Sequence, residues 1–230
     1  MLELDLGNSR LKWRQEGGPM AACAHFQWAD LLAAANCGES ARMVSVAPTR
    51  VTDSLLRALV DVGVKPQLLD SRAPHPDLHL SYAPAGSLGG DRLLGMLAAR
   101  HRYSGAVVVV SAGTAFTVDG VDAAGHHLGG CIAPGVGAAA AALPEVLRGR
   151  AEGAPVLGAG QSTEGCLRAG LGSLYAGALQ HWRTVWQDHR PGLVVTGGDA
   201  EYIATLAAAI AWRAEVRQCL VLDGLKWALP

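Results

Sequence analysis

Leu2-Glu3-Leu4-Asp5-Leu6 alternates apolar and acidic residues with period two, and the alternation resumes at Leu11-Lys12-Trp13 after Gly7-Asn8-Ser9. This predicts two strands joined by a tight turn, an opening β-hairpin. The period then changes. Residues 28–35 and 53–62 space their apolar positions as helices do, and Met43-Val44-Ser45-Val46 between them reads as a short strand closed by Pro48. Pro74, Pro76, Pro84, Gly86 and the Gly89-Gly90 pair predict a long loop over residues 70–90, a kind of segment that often carries function. Beyond it Leu93, Leu94, Leu97 and Ala98 recur at helical spacing, which puts Asp91 at a helix N-terminus.

The second half repeats the opening. Residues 106–110 form a fully apolar run that reads as a buried strand, Ser111-Ala112-Gly113-Thr114-Ala115 as a turn, and a further strand runs through Val118. Two hairpins, each heading a series of strands and helices, predict two related α/β lobes, residues 1–105 and 106–230. Helices are expected around Leu143, Val146 and Leu147, over residues 163–179, and from about Tyr202. A buried strand, Leu193-Val194-Val195, should end in Thr196-Gly197-Gly198-Asp199. Residues 219–225 read as a short strand and turn.

Composition narrows the classes of function. The chain has 230 residues, half of them apolar, enough for one large or two modest domains. Nineteen basic residues against twenty acidic ones leave nothing in the overall charge to attract nucleic acid or a lipid surface. The five cysteines are odd in number and lack paired spacing, which argues against a disulfide framework or a zinc knuckle and for a reducing compartment. Glu3 and Asp5 stand where a signal peptide would need basic residues and an apolar run, so a cytoplasmic protein with no membrane partner is expected.

Neither a P-loop nor a G-x-G-x-x-G fingerprint occurs. Two glycine-containing hairpin turns could instead offer backbone N–H groups to a polyphosphate. Asp5 would then hold Mg²⁺ or its water shell and Lys12 would supply a point charge, although the same residues also suit an ordinary tight hairpin. Asp91 suits a general base for phosphoryl transfer to an alcohol, although on local sequence alone a helix cap is the commoner use of such an Asp. Arg92 beside it could pair with a substrate carboxylate. His75 and His79 flank Pro76 and belong to the loop, and His126-His127 to a solvent-facing turn; neither pair makes a chelate. Trp182, Trp186 and Trp212 read as packing residues.

Taken in order, four segments closely resemble the motif series of the type III pantothenate kinases: Asp5-Leu6-Gly7-Asn8-Ser9-Arg10-Leu11-Lys12; Tyr82 with Leu88-Gly89-Gly90-Asp91-Arg92; Gly113-Thr114-Ala115-Phe116-Thr117; and His127-Leu128-Gly129-Gly130-Cys131-Ile132-Ala133-Pro134-Gly135. Ser162-Thr163, Val195-Thr196-Gly197-Gly198-Asp199 and Leu220-Val221-Leu222-Asp223-Gly224-Leu225 extend the resemblance over nearly the whole chain. It implies two ribonuclease-H-like lobes of the acetate/sugar kinase, Hsp70 and actin superfamily, acting as a homodimer. The implied reaction is ATP-dependent phosphorylation of pantothenate to 4′-phosphopantothenate, with Mg²⁺.

By the same resemblance Asp91 is the general base, and Tyr82, Gly89, Gly90, Asp91 and Arg92 bind pantothenate. Thr163 reaches the substrate from the partner subunit. Asp5, Leu6, Gly7, Asn8, Ser9, Arg10, Leu11, Lys12 and Thr114 bind ATP, and Gly197-Gly198-Asp199 resembles the adenosine-side segment. Two other readings stand beside this one: a non-catalytic, transcription-linked accessory factor related to the family, and a kinase of the same fold acting on another small alcohol or acid. Retention of Asp5, Lys12, Asp91 and Arg92 argues against the first, and the match from Tyr82 to Arg92 against the second.

One position departs from the pattern. The family's second phosphate motif begins with an Asp that binds K⁺ or NH₄⁺, and here Ser111 replaces it. A hydroxyl offers one neutral oxygen where a carboxylate offers two and a full charge. Ser111→Asp is therefore expected to lower the K⁺ concentration for half-maximal activation, measured by titrating K⁺ against Na⁺ at constant ionic strength in Tris. Tight, strong K⁺ activation of the unmodified protein would show that other oxygens build the site.

Overall fold

The computed structural model describes residues 1–84, 86–148 and 156–230. In chain order the first elements are β1 (Leu2–Leu6), β2 (Arg10–Gln15), β3 (Ala21–Ala24), α1 (Ala29–Ala34), β4 (Ser40–Ser45), α2 (Thr49–Asp61), β5 (Lys65–Leu68) and α3 (Gly90–Arg102). Then follow β6 (Val107–Ala112), β7 (Ala115–Val121), β8 (His127–Pro134), α4 (Val136–Ala141), α5 (Glu145–Arg148) and α6 (Thr163–Val185). The chain ends with β9 (Gly192–Thr196), α7 (Ala200–Ala209), β10 (Ala214–Val216) and α8 (Leu220–Ala228).

These elements form two compact units, Met1–Arg102 with Cys219–Pro230, and Tyr103–Gln218. Each holds one five-stranded sheet, in the orders β3-β2-β1-β4-β5 and β10-β9-β6-β7-β8. Counted from its own first strand, the second sheet repeats the first. In both, the first strand is central, the next two fold back antiparallel on one side, and two parallel strands follow on the other. This is the ribonuclease-H-like plan twice over, as the paired hairpins in the sequence predict.

The alternation in β1 assigns Leu2, Leu4 and Leu6 to one face, where they pack with Leu31, Leu55 and Leu59. Fully burying each such side chain contributes about 1.5–3 kcal/mol. The other face is also covered. Val44, the β4 partner of Asp5, packs with Leu94 of α3 and with Leu222, Leu225 and Leu229 at the C-terminus. Glu3 is therefore fully buried, held by Arg14 at 2.5 Å, while Arg14 in turn reaches Asp223 of α8 at 2.8 Å. In the second unit the core gathers Val108, Val110, Phe116, Leu179, Ile203 and Leu206 around Trp186 and Trp212. Trp182 stacks on Trp186 with ring centroids 4.7 Å apart, so the tryptophans pack as expected.

The structure corrects three readings of the sequence. Residues 219–225, read as a strand and turn, lie at the start of helix α8, and this segment belongs to the first unit rather than to the 106–230 lobe. A short apolar run does not distinguish a strand from a buried helix, and here close packing on α3 decides. Gly224 permits that packing, because a Cβ there would lie 2.3 Å from the Leu94 carbonyl oxygen. His127, assigned to a solvent-facing turn, begins β8 and is buried, its Nε2 3.1 Å from Asp119 Oδ1. Ser111 lies within β6 rather than in the turn, registered between Thr117 and Thr196.

The loop expected over residues 70–90, of which Ala85 lies outside the described residues, is irregular apart from a bridge between His75 and Leu78. It is tied to the helices beneath it. His75 Nε2 donates to the Trp227 carbonyl at 3.0 Å, and His101 stacks on the Trp227 ring at 3.7 Å while its Nε2 meets Asp77 Oδ2 at 3.0 Å.

Candidate active site

In the first unit the candidate residues converge at the end of β1. Asp5 and Lys12 are cross-strand partners, and the turn between their strands closes with the Gly7 N–H donating to the Arg10 carbonyl at 3.0 Å. Leu6 and Leu11 are fully buried in the core, so only their backbone is available to a ligand; Asn8, Ser9 and Arg10 are exposed at the tip. The Gly7 carbonyl accepts a hydrogen bond from His25 Nε2 at 2.9 Å.

Asp91 enters from α3. Its Oδ1 accepts the Arg92 backbone N–H at 2.9 Å, so the carboxylate sits at the positive end of the helix dipole. The preceding glycines let α3 begin directly against the sheet, since a Cβ on Gly90 would lie 2.7 Å from Val44 Cγ2. Val44 neighbours Asp5, and the two acids sense each other. Burial raises the Asp5 carboxyl from the ordinary 3.8 to about 6; Lys12 opposes the shift and the negative charge of Asp91 adds to it. Arg92 is buried, donates from Nη1 to Tyr82 Oη at 3.1 Å and holds its guanidinium 5.5 Å from the centre of the Tyr82 ring. Tyr82, Gly89, Gly90, Asp91 and Arg92 are thus brought together.

In the second unit Thr114 is exposed at the tip of the β6–β7 turn, where its carbonyl accepts the Gly135 N–H at 3.1 Å. Thr163 is exposed at the first position of α6, whose cap is Ser162 accepting from the Gly165 N–H at 3.0 Å. Asp199 follows β9; burial raises its carboxyl. Tyr175 and Tyr202 lie within its field, and burial together with Tyr175 and Asp199 pushes the Tyr202 phenol up to about 12. Thr117 and Thr196, which flank Ser111, are buried hydroxyl residues, so neutral oxygens surround the departing position.

Sequence reasoning missed two of these features. The contact between His25 and Gly7 joins residues 18 apart and leaves no local signal. The buried Asp119–His127 pair left one, because a carboxylate between Val118 and Gly120 in an apolar strand needs a partner.

A family model described as type III pantothenate kinase matches residues 1–184. A type III pantothenate kinase from Thiobacillus denitrificans is 35% identical over 234 residues, covering 97% of this chain and 93% of that one. Among solved structures, a conserved putative Baf family transcriptional activator from Campylobacter jejuni aligns with a TM-score of 0.63 at 20% identity, over 98% of this chain and 96% of that one. A putative 2-dehydro-3-deoxygalactonokinase from Sinorhizobium meliloti aligns with a TM-score of 0.58 at 14% identity, over 99% and 95%. At those identities the two structures show the fold alone.

The raised Asp5 carboxyl has a measurable consequence. The native state binds its proton more tightly than the unfolded chain does, so the stability this proton confers is complete below about pH 4 and lost as pH rises through about 6. The loss is on the order of 2–3 kcal/mol. Asp5→Asn should therefore gain on the unmodified protein by that order when urea unfolding is compared at pH 4 and pH 7. Parallel pH profiles for the two proteins would rule the effect out.

Proposed function

Because the chain belongs to the type III pantothenate kinase family, we propose that it transfers the γ-phosphoryl group of ATP to the primary hydroxyl of pantothenate, the first step of coenzyme A biosynthesis, with Asp91 as general base. The observation that carries the assignment of the base is the placement of Asp91 at the head of α3, within the field of Asp5 and next to the Arg92–Tyr82 pair. Asp91 accepts the hydrogen bond of the substrate hydroxyl, aims its oxygen at the γ-phosphorus and takes the proton late in the transfer. Arg92, held by Tyr82, supplies the cation that the pantothenate carboxylate needs. Gly89 and Gly90 allow the substrate and helix α3 to approach the sheet closely.

The segment from Asp5 to Lys12 receives the ATP phosphates, Lys12 as a point charge and the hairpin through its backbone, with Thr114 serving the nucleotide from the second hairpin. Mg²⁺ fits the donor set. Asp5 is a buried carboxylate raised by burial and by a second acid, which a dication would relieve, and Mg²⁺ is usually held by one or two carboxylates together with phosphates and water. When bound, it would neutralise charge developing on the transferring phosphoryl group. The hydroxyls around Ser111 suit at most a weak site for K⁺ or NH₄⁺.

The proposal includes a homodimer in which Thr163 reaches the partner's substrate. The outer face of α6 supports it: Leu174 is 63% exposed and Val185 51%, and the space beside Gly170 and Gly177 is open. The proposal also carries a cytoplasmic location with it, since ATP is the donor. Among the described residues, no helix is long and apolar enough to cross a membrane. The likeness to a protein described as a transcriptional activator is one of fold, and gives no ground for a non-catalytic role.

Asn can accept the Arg92 N–H through its Oδ1 as Asp does but cannot take the proton, so Asp91→Asn should fold normally while turnover falls by roughly two to four powers of ten. Near-normal turnover would leave Asp91 only its structural role. Mixing Asp91→Asn protomers with Thr163→Ala protomers should regenerate activity, because one site of each mixed dimer is intact. A fully active monomer in sedimentation would defeat the shared site.

A further inference from the structure

His25 lies just after β3 and reaches across to the turn of the first hairpin, where its Nε2 is 2.9 Å from the Gly7 carbonyl oxygen. A carbonyl only accepts, so Nε2 carries the proton and donates. The turn that presents it is strained. The Gln27 N–H closes on the Ala24 carbonyl at 3.2 Å, and Phe26, third of its four residues, takes φ +64°. Such a conformation suits glycine at that position and is a genuine outlier for a bulky residue. Burial of Phe26 does not explain it, because the side chain is 56% exposed and its ring meets Trp28 at a centroid distance of 5.3 Å. What the turn accomplishes is to hold His25 against Gly7.

The planarity of the peptide gives this contact a consequence. The Gly7 carbonyl and the Asn8 N–H belong to one trans unit and point in opposite directions, so fixing one aims the other. Glycine restrains the orientation of that unit least of all residues. We propose that His25 is a positioning residue for the ATP hairpin: by holding the Gly7 carbonyl it keeps the Asn8 N–H directed away from His25 as a phosphate donor, and keeps the repelling carbonyl from turning toward the anion. This rests on the reading of residues 5–12 as the ATP-binding segment.

The test compares steady-state kinetics of His25→Ala, His25→Asn and His25→Gln, with Lys12→Ala as a control on that reading. Loss of the hydrogen bond should raise KM for ATP by about five- to tenfold in His25→Ala and His25→Asn, whose amide falls short of the Nε2 position. KM for pantothenate should move by less than about twofold. His25→Gln, which carries an N–H near that position, should recover most of the loss. In ¹⁵N spectra, the shift of the Asn8 amide on adding a non-hydrolysable ATP analogue should shrink in His25→Ala and return in His25→Gln. If Lys12→Ala raises KM for ATP while all three His25 variants match the unmodified protein, the inference falls and the hairpin reading stands. If Lys12→Ala also leaves KM for ATP unchanged, both fall. If His25→Ala does not fold, the contrast between the Asn and Gln variants decides.

Discussion

Two carboxylates, the buried Asp5 and the half-buried Asp91, are held within each other's field, and the close start of α3 against the first sheet keeps them there. Burying one acid is costly and bringing a second to it costs more. Lys12, across the strand pair from Asp5, offsets part of this, and the N-terminus of α3 favours charge on Asp91. The remainder stays uncompensated in the folded chain, as the raised Asp5 carboxyl records. A site built in this way is less stable empty than it could be, which is the common exchange between stability and function.

The arrangement depends on backbones that approach closely. Gly90 lets α3 start against Val44, beside Asp5, and Gly224 lets α8 lie against Leu94 of the same helix. With both faces of β1 covered, Glu3 is buried as thoroughly as Leu4 beside it and Asp5 nearly so. Glu3 is matched by Arg14, which links the hairpin to Asp223 of α8. The second unit follows the same plan with different chemistry: the turn after β6 carries Thr114, and the buried charge of Asp119 is matched within the sheet by His127.

Much of this was legible in the chain. Period-two alternation located β1 and β2, and the apolar spacing after Gly90 located α3, because those signals come from residues adjacent on one element. Asp5, Lys12, Asp91 and Arg92 were found as candidates through their residue types and spacing. Their roles were not legible that way, since an Asp at a helix start is most often a cap. His127 was misplaced because the burial of a histidine depends on a carboxylate eight residues away on another strand.

The sequence by itself determined that there are two α/β lobes, each opening on a hairpin, and offered the candidate site residues, because patterning and turn residues act locally and each lobe repeats the same pattern. Only the tertiary structure decided that the C-terminal run is a helix, that it returns to the first unit, and that it covers the acidic face of β1. Those outcomes depend on a close fit between Gly224 and Leu94, 130 residues apart by their numbers, and on the loss of water around Asp5 that follows. Solvation and long-range contact are properties of the folded chain, so no local pattern could have announced them.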